Sequence, residues 1–110
     1  MKLNIMVRQH GKSNAIPMTK ASIIHFPEFP ETKFFVHWIP KKWNRHGESG
    51  WQVSEYKYGG AVFTHPTKSR TGAILRAKAK MRNSKNIEIA RENLDYYERR
   101  PEFFPVVNKE

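Results

Sequence analysis

The chain has 110 residues, 38% of them apolar and 13% aromatic, enough to bury one core and too few for two. It holds 20 basic residues against 10 acidic ones, a formal net charge of +10, and no cysteine, which excludes a disulfide framework and any thiolate metal site. A balance of this sign favours a polyanionic partner, nucleic acid above all.

Residues 3–7 predict a short strand and residues 11–15 a turn. The first apolar run is cut short by Arg8 and His10, well below what a signal peptide or a membrane span requires. A soluble, cytoplasmic protein is therefore expected. Residues 21–26 form a second short apolar run, and Pro27 and Pro30 flank Phe29 in a stiff, extended connector whose rings would pack onto the domain. The segment 1–32 as a whole reads as irregular.

Residues 33–39 predict a strand, rich in aromatic and β-branched side chains and stopped by Pro40. A loop follows over 41–50, with cations at Lys41, Lys42 and Arg45. Residues 51–58 alternate as a strand, Gly59 and Gly60 make a hairpin turn, and 61–65 return before Pro66. These three segments predict an antiparallel three-stranded sheet. The alternation puts Trp51 and Val53 on one face, for burial under a helix, and Gln52, Ser54 and Tyr56 on the other.

Good helix formers fill residues 70–82, with Thr67 or Ser69 placed to cap them. Ala73, Ile74, Ala77 and Met81 make a narrow apolar stripe at helical spacing. Asn83 and Ser84 mark a break and a new cap, and 87–99 predict a second helix with Ile87, Ala90, Leu94 and Tyr97 on its apolar side. Pro101 ends it, leaving an extended tail over 101–110. The architecture expected is a single α+β domain: a small antiparallel sheet of three or more strands, then two α-helices.

Charge is unevenly spread along this plan. Residues 1–85 hold 16 basic and four acidic side chains, whereas 86–110 hold four basic and six acidic ones. Between Lys68 and Lys85 stand Lys68, Arg70, Arg76, Lys78, Lys80, Arg82 and Lys85 with no acid among them. A helix face exposed only to water usually mixes signs, because opposite charges three or four residues apart stabilise it. A run of one sign repels itself, and a polyanion would relieve that repulsion. Lys68, Arg70, Arg76, Lys78, Lys80 and Arg82 are thus expected to neutralise phosphates, with Lys41, Lys42, Arg45 and Lys57 extending the patch. Tyr56, Tyr58 and Trp43, interleaved with those cations, would stack bases or read a groove.

The run from Trp51 to Met81, through Gly59, Phe63, Thr67, Lys68 and Ala73, resembles the three-stranded sheet plus helix of AP2-like domains and of the arm-binding domains of phage integrases. That resemblance implies a sheet that enters the major groove with the helix supporting its back. Thr67, Lys68 and Arg70 also resemble the phosphate-gripping helix start of double-stranded-RNA-binding domains, although the first helix of that fold is not evident. Small basic cysteine-free chains are similar, too, to phage-encoded inhibitors of host defence, of the anti-CRISPR or anti-restriction type. Such an inhibitor would work in the host cytoplasm on an acidic host protein or ribonucleoprotein.

Chemistry has little to stand on. His10, His25, His37, His46 and His65 are scattered, none at metal-ligand spacing from a carboxylate or another histidine. His37, Glu55 and His65 lie on the three predicted strands, and their meeting would suit a small nuclease. No phosphate-binding glycine loop or nucleophile elbow is visible. The sequence thus points to a non-enzymatic nucleic-acid binder without cofactor or metal, DNA being favoured over RNA, and the protein inhibitor is the alternative.

Overall fold

A computed structural model describes residues 21–44, 46–57 and 60–99, with Trp43 by its backbone alone, together with the backbone of 3–9 and 12–18. It is a small α+β fold in which a three-stranded antiparallel sheet is followed by two helices. The strands are β1 (Leu3–Gln9), β2 (Lys12–Met18), β3 (Ala21–Ile24), β4 (Phe34–Ile39) and β5 (Gly50–Glu55). The helices are α1 (Arg70–Met81) and α2 (Ser84–Glu98). No helix among the described residues is long and apolar enough to cross a membrane.

The N-terminal segment is not irregular. β1 and β2 pair antiparallel from Leu3 opposite Met18 to Gln9 opposite Lys12, so Ser13, Asn14 and Ala15 belong to a strand where a turn was predicted. Polar residues within that stretch hid its β character. The predicted tail over 101–110 lies outside the described residues.

The three-stranded sheet has the order β3-β4-β5, and its third strand is β3 rather than residues 61–65. That correction has a backbone cause. The chain after β5 does run back beside it, with Glu55 N–H donating to Gly60 O and Val62 N–H to Val53 O, both at 2.8 Å. The next paired point, however, is Trp51 with Thr67, joined by two bonds of 2.8 Å. Two steps along β5 therefore face five along the returning chain, which bows outward over residues 63–66. Pro66 has no N–H to give a ladder, so regular pairing resumes only at Thr67. Gly50 permits the close return: a Cβ there would lie 2.5 Å from Thr67 O, at a φ of +153°.

One face of the sheet carries Phe34 and Val36 from β4 and Val53 from β5, in contact with Ala73, Ala77 and Met81 of α1 and with Phe63. Small alanines let the helix backbone approach the sheet closely. Phe26 and Phe29 complete this core, each edge-on to Phe34, with ring centroids 4.9 and 5.7 Å away. Their rings pack as predicted, but the connector is a turn rather than extended chain, since Phe29 N–H donates to Phe26 O at 2.9 Å. The other face, with Phe35, His37, Gln52 and Ser54, is buried as well.

Ser69 caps α1, its hydroxyl accepting from Gly72 N–H at 3.0 Å, while Thr67 is occupied with Ser69 O instead. Asn83 caps α2 by accepting from Lys85 N–H at 2.9 Å, so that helix begins three residues before the predicted start. Ile87, Ala90 and Leu94 lay α2 against the core. Arg91 ties it to the turn before β4, pairing with Glu31 and lying 5.4 Å from the Phe29 ring centroid.

Candidate nucleic-acid interface

Helix geometry sorts the cations of α1 into two flanks. With 3.6 residues per turn, Ala73, Ala77 and Met81 face the sheet, Arg76 and Lys80 lie to one side and Lys78 to the other, while Arg70 stands above the sheet-facing stripe in the first turn. The first flank overhangs the bowed segment after β5. There four consecutive carbonyls each accept from a different side chain: Val62 O from Lys80 (3.0 Å), Phe63 O from Gln52 (2.7 Å), Thr64 O from Asn44 (2.9 Å) and His65 O from Arg76 (2.9 Å). The bow forfeits its ladder bonds and recovers them from side chains. Arg76 and Lys80 are accordingly structural fasteners as well as cations.

The remaining cations between Lys68 and Lys85 have no such work. Lys68, Arg70, Lys78, Arg82 and Lys85 are exposed, and among the described residues none makes an ion pair or a side-chain hydrogen bond. The acidic helix α2 does not fold over them. Among the described residues its carboxylates pair Glu98 with Lys57 (3.0 Å) and Asp95 with Arg99 (2.8 Å). The first turn of α1 contains no acid. Lys68 and Arg70 therefore add to the positive end of the helix dipole instead of offsetting it.

Lys41 and Lys42 sit in a single 3-10 turn directly after β4, at the end of the sheet where Trp51 meets Thr67. They share that end with Lys68 and Arg70. Tyr56 and Lys57 follow β5 at the opposite end, about 17 Å away at the rise of an extended strand. Lys57 is bound to Glu98, and Tyr56 stands edge-on to Phe35 beneath Lys33, 5.7 Å from its ring centroid. The expected face of interleaved rings and cations is thus divided between two ends of the sheet. Arg45, Tyr58 and the Trp43 side chain lie outside the described residues.

Sequence reasoning passed over one aromatic at the basic end. Trp38 shares the core-facing side of β4 with Phe34 and Val36, yet it is 39% exposed because it stands at the strand's end, opposite Trp51. Its approach to Pro40 was the available signal, since a ring that close to a strand terminus outruns the helix covering the sheet.

The histidines do not form a site with Glu55. His37 is buried on the far face, sharing a 2.8 Å hydrogen bond between Nε2 and the Ser54 hydroxyl, and its Nδ1 has no partner among the described residues. Burial pushes its pKa down to about 4, against a smaller opposing effect of the Trp38 backbone. Glu55 accepts instead from the Thr32 hydroxyl at 2.7 Å. His65 pairs with Glu48 at 2.7 Å and stacks on His46 with ring centroids 3.9 Å apart. Among the described residues no three histidine or carboxylate side chains gather to hold a metal ion.

No family model, curated protein or solved structure matches this chain. Of the residues that carried the resemblances, Phe63 and Ala73 are buried in the core and Trp51 pairs with Thr67, while Lys68 and Arg70 point to solvent. Gly59 lies outside the described residues.

Proposed function

We propose that the protein binds nucleic acid without acting on it chemically, through the outer flank of α1 and the adjoining end of the sheet. One observation carries this reading: Lys68, Arg70, Lys78, Arg82 and Lys85 are exposed and find no carboxylate among the described residues, although the chain has an acidic helix next in line. Like charges gathered along one stretch of chain repel, and phosphates are the commonest ligand that removes the repulsion with a gain of released counterions. Arg76 and Lys80, fixed by their carbonyl bonds, add positive potential on the other flank.

A salt-series titration with duplex DNA, single-stranded DNA and RNA tests the reading. Binding should weaken linearly in log–log form as salt rises, with a slope that counts several neutralised phosphates. Failure to bind any of the three at low salt overturns it. Capture of one acidic host protein in that case would favour the inhibitor alternative.

A further inference from the structure

We infer that Trp38 is a stacking platform for an unpaired base, which makes single-stranded nucleic acid, rather than a closed duplex, the ligand of the basic end of the sheet. This rests on the nucleic-acid reading above and narrows it. Two large aromatic side chains are prominently exposed among the described residues, Trp38 at 39% and Tyr96 at 48%. Their surroundings differ in sign. Tyr96 stands on α2 beside Glu92 and Asp95 and is edge-on to Tyr97. Trp38 stands three residues before Lys41, and its cross-strand neighbour Trp51 is hydrogen-bonded to Thr67, next to Lys68 and Arg70. Only the second ring lies where a phosphate chain would be drawn.

Three other rings among the described residues already have a cation beside them. Arg76 lies 5.2 Å from the Phe63 centroid, Arg91 5.4 Å from that of Phe29, and Lys33 5.7 Å from that of Tyr56. Indole is the best cation acceptor of the aromatic side chains, and Trp38 lies at the end of the sheet that leads to Lys41 along β4 and to Lys68 through the Trp51–Thr67 pair. Even so, among the described residues it makes a single ring contact, edge-to-face with Trp51 at 5.8 Å. An indole that is 39% exposed and carries no cation among the described residues fits a base whose backbone runs toward Lys41 on one side and Lys68 and Arg70 on the other. Two strand spacings, about 10 Å, separate Trp38 from Thr67, which is within the reach of one or two nucleotides. In a closed duplex the bases are stacked on each other and offer no free face.

The test compares four probes in a low-salt anisotropy titration: a short thymidine oligonucleotide, the same backbone with abasic sites, a blunt duplex and, for RNA, a uridine oligonucleotide. The intact single strand should bind more tightly than its abasic counterpart. Trp38→Ala should remove that difference, a loss of about tenfold, while leaving abasic and duplex binding unchanged. Trp38→Phe should restore most of it, which a loss of fold would not permit. Equal effects of Trp38→Ala on the intact and abasic strands, or none on either, overturn the stacking role with the phosphate reading intact. Absence of binding by the unaltered protein to all probes overturns the phosphate reading itself.

Discussion

The guanidinium of Arg76 donates to the carbonyl of His65 at 2.9 Å and at the same time lies 5.2 Å from the ring centroid of Phe63. One side chain thus closes the bowed segment after β5 from above while capping a core aromatic. Lys78, two residues on, makes no comparable contact. Arg76→Ala should therefore destabilise the fold by about 1–2 kcal/mol, the sum of a hydrogen bond and a cation–π contact. Lys78→Ala should stay within about 0.5 kcal/mol of the parent. Urea unfolding of the two variants side by side checks this, and equal stabilities would deny Arg76 its fastening role.

Acid should weaken the fold well before the carboxylates titrate. His37 has a folded pKa near 4, below its ordinary 6.5, so it binds a proton more readily when unfolded. The stability it contributes as a neutral ring is complete above about pH 6.5 and is lost as pH falls toward about 4, up to about 3 kcal/mol. Glu31, held below its ordinary 4.5 by the Arg91 hydrogen bond, also loses stabilisation on acidification, but only below that value. The interval from pH 6.5 down to 4.5 separates the histidine from Glu31. Urea midpoints across it should decline in the parent and stay level in His37→Gln, whose amide can still bond Ser54. A level parent curve would contradict the buried, neutral imidazole.

Close passage of two backbones at Gly50 gives a third test. An alanine methyl would meet Thr67 O at 2.5 Å and Pro66 Cβ at 2.8 Å, neither of which can move without breaking the Trp51–Thr67 bonds. Gly50→Ala should cost more than about 2 kcal/mol, whereas Gly60→Ala, whose nearest neighbour is a Tyr97 carbon at 3.9 Å, should cost far less. Thermal melts of the two variants decide it.

The legible parts of this fold were those with strong local signals. Val53 alternating with polar neighbours, Pro40 ending β4, and the stripe of Ala73, Ala77 and Met81 each announced its element. Non-local choices were not legible. Whether residues 61–65 would run as a regular strand beside β5 depended on Pro66 and on side chains such as Gln52 and Asn44 reaching the bowed carbonyls, and the pairing of 21–24 with β4 lay equally beyond any local window. The burial of the second face, with His37 and Ser54, was masked by their polarity. At the candidate interface the cations could be counted from the sequence. The division between Arg76 and Lys80, which bond carbonyls, and Lys68, Arg70, Lys78, Arg82 and Lys85, which among the described residues make no ion pair or side-chain hydrogen bond, required the fold.

Arg70 allows function to be separated from stability by the sign of two effects. It occupies the first position of α1, beside the positive end of the helix dipole, with no acid in that turn. Arg70→Glu replaces an unfavourable charge with a favourable one, so the fold should gain about 0.5–1 kcal/mol. If the basic flank serves phosphates, the same change must weaken nucleic-acid binding and lower the salt slope by at least about one. A residue retained only for the fold would not show a more stable variant with poorer affinity. Parallel denaturation and salt-series titrations of Arg70→Glu read both signs, and unchanged affinity in a stabilised variant would remove Arg70 from the interface.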